Sequence, residues 1–173
     1  MLIGLALVAV FLAGAAAGAA VFVAVLRRKV IVSADSRYSF DETERRLREQ
    51  GPATPGWGFP IPELNFVEAL SKKGFVAEGI RQAKIFFLCN PKYASAVVGA
   101  EHRMIGMMPC HWALFETANG RVRISRLNIP LLSRMFGGLV RETMTQVGRD
   151  EQSMIPRITG ERGSAAAANP ASS

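Results

Sequence analysis

The chain has 173 residues, 49% of them hydrophobic, with two cysteines and a formal net charge of +7. With an apolar N-terminus and a polar C-terminal tail set aside, about 130 residues remain, enough for one core and too few for a second domain. Two cysteines exclude a disulfide scaffold, and the absence of a long basic run argues against a nucleic-acid partner.

From Leu2 to Leu26 no side chain is charged or strongly polar. About 25 helical residues reach roughly 37 Å, so residues 1–29 are expected to form a transmembrane anchor with the lipid bilayer as a partner. A cleaved signal peptide would carry its basic cluster ahead of the apolar run; here Arg27, Arg28 and Lys29 follow it, where they are expected to contact the membrane surface. The same cluster predicts a single pass through the cell inner membrane with the domain on the cytoplasmic side, where both cysteines stay mostly reduced. Gly14 and Gly18 have the spacing that lets membrane helices approach, which makes the anchor a candidate contact for a homodimer or a membrane-complex partner.

The folded domain is expected over residues 30–158. Val30 to Val32 reads as a short strand, and Ser39 with Glu42 forms a capping box opening a helix that Gly51 and Pro52 end near Gln50. Pro and Gly crowd residues 52–62 around Trp57 and Phe59, predicting a fixed irregular loop, and a short helix ending at Gly74 follows. Ala83 to Cys89 reads as a buried strand leading into a helix with Pro91 in its first turn. Met107 to Thr117 and Val122 to Leu127, joined through Asn119-Gly120, predict a β-hairpin. Leu132, Met135, Phe136, Leu139, Val140, Met144 and Val147 then recur at three and four, predicting one long amphipathic helix across the sheet. Residues 159–173 are rich in Ala, Ser and Gly and are expected to be a disordered tail. This order of elements predicts an α+β domain with a mainly antiparallel sheet.

Two segments stand out chemically: Phe87-Leu88-Cys89-Asn90-Pro91 at a strand exit and Met107-Met108-Pro109-Cys110-His111 at a strand entrance. If those strands are neighbours, Cys89 and Cys110, with Asn90, Met108 and Pro109 beside them, form a candidate thiol or binding site. Paired thiols there suit a redox switch, a sulfur adduct or a soft metal held with His111 or a methionine; the alternative is two cysteines acting as small buried hydrophobes. No metal site is expected, because CxxC and HxxxH elements are missing and strand alternation puts Cys110 and His111 on opposite faces. Covalent haem is excluded, since Met107 stands where the first cysteine is required.

No other motif names a reaction or a cofactor. His102 lies in a connecting segment; Asp150 and Glu151 are expected to face water; nucleophile-elbow, Walker and dinucleotide motifs are missing; Gly137-Gly138 falls within the predicted helix. Arg121, Arg123, Arg126, Arg134 and Arg141 form either a patch for lipid phosphate or an acidic partner, or a solvated face. Met104, Met107, Met108, Met135 and Met144 either line an adaptable pocket or fill the core.

In order, Ser39-Phe40-Asp41-Glu42-Thr43, Cys89-Asn90-Pro91 with Tyr93-Ala94, Met108-Pro109-Cys110, Asn119-Gly120 with Val122 and Ile124-Ser125, and Met135-Phe136-Gly137-Gly138 resemble the bacterial and archaeal family of domains of unknown function 302, in its membrane-anchored subgroup. The resemblance covers residues 30–155. It implies a two-layer fold of the TATA-binding-protein-like type, with helices on one face of a curved antiparallel sheet, and it implies no reaction. The expected function is a membrane-tethered small binding or thiol-redox-responsive module; the alternative is a non-catalytic accessory subunit of a membrane complex.

Overall fold

The computed structural model describes residues 2–161; within its first helix, side chains are described at residues 11, 14–24, 28 and 29. That helix, α1, spans Leu2–Lys29. Among the described residues, however, no helix is long and apolar enough to cross a membrane, which overturns the expected single-pass transmembrane anchor. The longest stretch of α1 with described side chains, residues 14–24, is mostly alanine and glycine. Among the described residues, a Cβ at Gly14 or Gly18 would meet nothing within 4 Å beyond its own helix, and Arg28 and Lys29 are exposed.

Strands β1 (Ile31–Asp35), β2 (Leu64–Asn65), β3 (Ile80–Leu88), β4 (Cys110–Thr117) and β5 (Val122–Leu127) form one sheet in the order β1-β5-β4-β3-β2. Every neighbouring pair is antiparallel. Because side chains alternate across a strand, the register sets one apolar face: Phe86 lies opposite Trp112, and Leu114 opposite Ile124. All four are buried, and Trp112 and Leu114 are 0% exposed. Helices α2 (Phe40–Ala53), α4 (Pro91–Ala100) and α6 (Gly138–Thr159) enclose this face with the short helix α5 (Ile129–Ser133), whereas the short helix α3 (Phe66–Ser71), between β2 and β3, buries no residue. Fully burying one such large apolar side chain contributes roughly 1.5–3 kcal/mol.

Local chemistry explains most element ends. The Ser39 hydroxyl accepts from the Glu42 backbone N–H at 3.3 Å, and Phe40, Thr43, Leu47 and Gly51 bury one face of α2. The helix continues past its expected stop to Ala53, and the Phe59 ring packs against Gly51 inside it, where a Cβ would lie 2.8 Å from the ring. Asn90 caps α4 by accepting from the Lys92 N–H at 3.1 Å, with Pro91 in the first turn. The β4–β5 turn uses Gly120 at φ +82°, as the Asn-Gly pair predicts.

The long C-terminal helix is two helices. Asn128 caps α5, accepting from the Leu131 N–H at 3.2 Å, and α5 ends at Ser133. The chain breaks before α6, where Gly138 takes φ +54°. The apolar spacing persists across the break because both helices bury residues in the same core, so periodicity alone does not register it. α6 then runs to Thr159, which is fully buried, so the expected tail starts too early; residues 162–173 lie outside the described residues.

α5 rests on α6 through Pro130 and Gly148. A Cβ at position 148 would sit 2.6 Å from Pro130 Cγ. Gly148→Ala is therefore expected to destabilise the protein by about 1–3 kcal/mol through overpacking, despite the better helix propensity of alanine. Gly137→Ala, where no atom lies within 4 Å, should change stability far less. Urea denaturation of the two variants makes the comparison.

Candidate functional site

Strand pairing brings the two cysteine-bearing segments together. Leu88, the last residue of β3, lies opposite Cys110, the first of β4, so Cys89 sits one step beyond that pair. The Cys89 backbone exchanges hydrogen bonds of 2.9 and 3.0 Å with Gly58. This clamp ties the Pro/Gly-rich loop to the sheet and seats Trp57 in the core. On the other side, a 3-10 turn (His102–Met107) and the cis Met108–Pro109 bond lead into β4.

Between these segments, α4 and α6 lies a cavity of about 50 Å³. Trp57, Tyr93, Val97, Met104, Met107, Met108, Cys110 and Met144 line it, with Asn90 at the cap of α4. Of the residues singled out from sequence, Asn90, Met108 and Cys110 reach the cavity, whereas Cys89 and Pro109 do not line it. His111 is exposed, and Met135 is 72% exposed, so neither belongs to the site.

The thiols are free and half-buried. Burial, followed by the Glu151 carboxylate and then Cys89, pushes the Cys110 thiol up to about 12. Burial also raises the Cys89 thiol. Both are therefore protonated near neutral pH, and neither supplies the thiolate that nucleophilic or exchange chemistry needs.

Sequence reasoning missed the acidic pair behind the cavity. Glu151 is buried and Asp150 half-buried, and their carboxylates receive the indole N–H groups of the two tryptophans. Trp57 Nε1 donates to Asp150 Oδ2 at 3.0 Å, Tyr93 Oη donates to the same oxygen at 3.1 Å, and Gln146 Nε2 donates to Oδ1 at 2.9 Å. Trp112 Nε1 donates to Glu151 Oε1 at 3.1 Å, and Arg126 Nη1 to Oε2 at 3.0 Å. The available signal was the tryptophans themselves, because a buried indole N–H needs an acceptor. Burial of Glu151 pushes its carboxyl up to about 7 against the opposing pull of Arg126 and Trp112, and the neighbouring Asp150 adds to the rise.

The arginines do not form one patch. Arg121 and Arg123 pair with Asp35 at 3.1 and 2.9 Å, Arg126 is committed to Glu151, and Arg134 and Arg141 are exposed. Among the described residues no group of three His, Cys, Asp or Glu is placed to hold a metal.

The family model of DUF302, a domain of unknown function, matches residues 32–157. The chain belongs to the DUF302 family. Its structure is similar to the crystal structure of an uncharacterised conserved DUF302 protein from Bacillus stearothermophilus, with a TM-score of 0.65 and 21% identity over 75% of this chain and 98% of that one. That likeness concerns the fold. No curated protein matches the chain. The family assignment gives no support to membrane anchoring, and the matched residues 32–157 contain every cavity-lining residue.

Proposed function

We propose that this DUF302 domain is a binding module for a small, polarisable ligand held in the cavity beside Cys110. The observation that carries the reading is the lining: four methionines, two aromatic rings and a protonated thiol surround one void. Methionine is unbranched, polarisable and able to repack around a guest, so such a wall adapts to an occupant at low cost. Asp150 supports the opposite wall by fixing the Trp57 and Tyr93 heads, which leaves their ring bodies toward the cavity. The raised thiols weigh against the redox-responsive form of the idea and favour binding over covalent chemistry.

The test is a titration with xenon, an apolar atom that enters dry apolar cavities, read through methyl resonances of labelled methionines. Met104, Met107, Met108 and Met144 are expected to shift, while the exposed Met135 stays still. Ala94 lines the same cavity, and Ala94→Phe should fill it and suppress those shifts with the fold intact by circular dichroism. Equal shifts at Met135, or unchanged shifts in Ala94→Phe, would remove the cavity as the site. The accessory-subunit reading would then stand in its place.

A further inference from the structure

The binding reading can be taken one step further, to the chemical class of the ligand; this step rests on that reading. Sites for organic ligands occupy roughly 300–1,000 Å³, whereas this cavity offers about 50 Å³. Its occupant is therefore one atom or a few. Sulfur is the donor that the walls supply: the thiol of Cys110 and the thioethers of Met104, Met107, Met108 and Met144. Met104 and Met107 are three apart within a 3-10 turn, a spacing that places side chains on the same side, and Met107, Met108 and Cys110 fall within four consecutive positions. Met144 comes from α6, across the cavity.

Thioether and thiolate sulfurs are soft ligands, and they select Cu(I) over ions that prefer oxygen or imidazole. We propose that the cavity binds a soft monovalent cation of the Cu(I) and Ag(I) class through Cys110 and at least two of these methionines. On binding, the S–H bond of Cys110 breaks, its proton leaves to solvent, and a sulfur–metal bond forms with no change of oxidation state. Thiolate and monovalent cation sum to zero charge, which an apolar cavity tolerates. Met107, Met108 and Cys110 are half-buried, while Met104 and Met144 are buried, so the site has a rim and a floor of the same donor type.

The experiment uses the full chain carrying Cys89→Ser, so that one thiol remains, and titrates Ag(I) against a competing soluble thiol. The first equivalent is expected to shift the methyl resonances of Met104, Met107, Met108 and Met144, and Zn(II) is expected to leave them in place. A Met104→Leu, Met107→Leu, Met108→Leu variant keeps volume and apolar character, so it should fold and still take up xenon. Its Ag(I) affinity should fall by at least roughly 10-fold. Ag(I) binding that is unchanged in this variant, or that shifts no methionine methyl, would overturn the proposal as simple thiol capture. If xenon enters and Ag(I) does not, the ion is wrong and the binding reading stands; if neither enters, both fall.

Discussion

Glu151→Ala is expected to cost about 3–5 kcal/mol, the loss typical of removing one partner from a buried ion pair. The reason is what the substitution leaves behind. Arg126 is 11% exposed and Glu151 2% exposed at their side chains. Without the carboxylate, a guanidinium remains in the core with, among the described residues, only the Leu127 carbonyl, 3.4 Å away, as an acceptor. The Trp112 indole N–H, on a side chain that is 0% exposed, loses its acceptor as well. Urea denaturation at pH 8, where Glu151 is ionised, should place the midpoint well below that of the parent chain. A loss under about 1 kcal/mol, the scale of an exposed pair, would mean that water reaches the site and that the Glu151–Arg126 pair does not hold α6 to the sheet.

The second large effect is a stability that falls as pH rises from about 5 to about 8. The carboxyl of Glu151 titrates at about 7 in the folded chain against 4.5 for an unperturbed glutamate. Between those values the folded state binds more protons than the unfolded state, so the slope of unfolding free energy against pH is negative. The contribution is complete below the unfolded value and is lost as pH passes through the folded one, a total of about 3 kcal/mol. Glu42 and Glu101 work in the opposite sense, because their arginine partners hold both carboxyls down at about 2. Their stabilising effect is lost only on acidification, so it does not enter the window above pH 5. Glu151→Gln keeps an acceptor for Trp112 and removes the titration. The difference in stability between the parent chain and Glu151→Gln should therefore drift with pH in this window, and a constant difference would contradict the assigned burial of the carboxyl.

The elements that could be read from sequence are those whose signal is local. Ser39 and Glu42 sit three apart and cap α2 wherever the helix later packs; Asn90-Pro91 begins α4; Asn119-Gly120 closes a hairpin between strands that are already neighbours in the chain. Whether β3 and β4 are neighbours was open in the sequence; their pairing in the fold brings Met108, Cys110 and Asn90 to one cavity. What escaped depends on distant partners. Asp150 meets Trp57 93 positions away, and Glu151 meets Trp112 39 positions away, and no pattern around two acidic residues near the end of a helix reports such contacts. The break at Gly138 escaped because α5 and α6 share one core and the apolar spacing runs through both. The apolar N-terminal run was read by composition as a membrane span, a reading overturned by the lack, among the described residues, of a helix long and apolar enough to cross a membrane.

The methionine-lined cavity is the centre of this account, and a crystal structure of the full chain under xenon pressure tests it most directly. The expected result is a single xenon atom between Cys110, Met104 and Met144, with Trp57 and Tyr93 still bonded to Asp150. A cavity that stays empty under pressure, or is filled by a neighbouring side chain, would contradict the assignment of this space as a binding site.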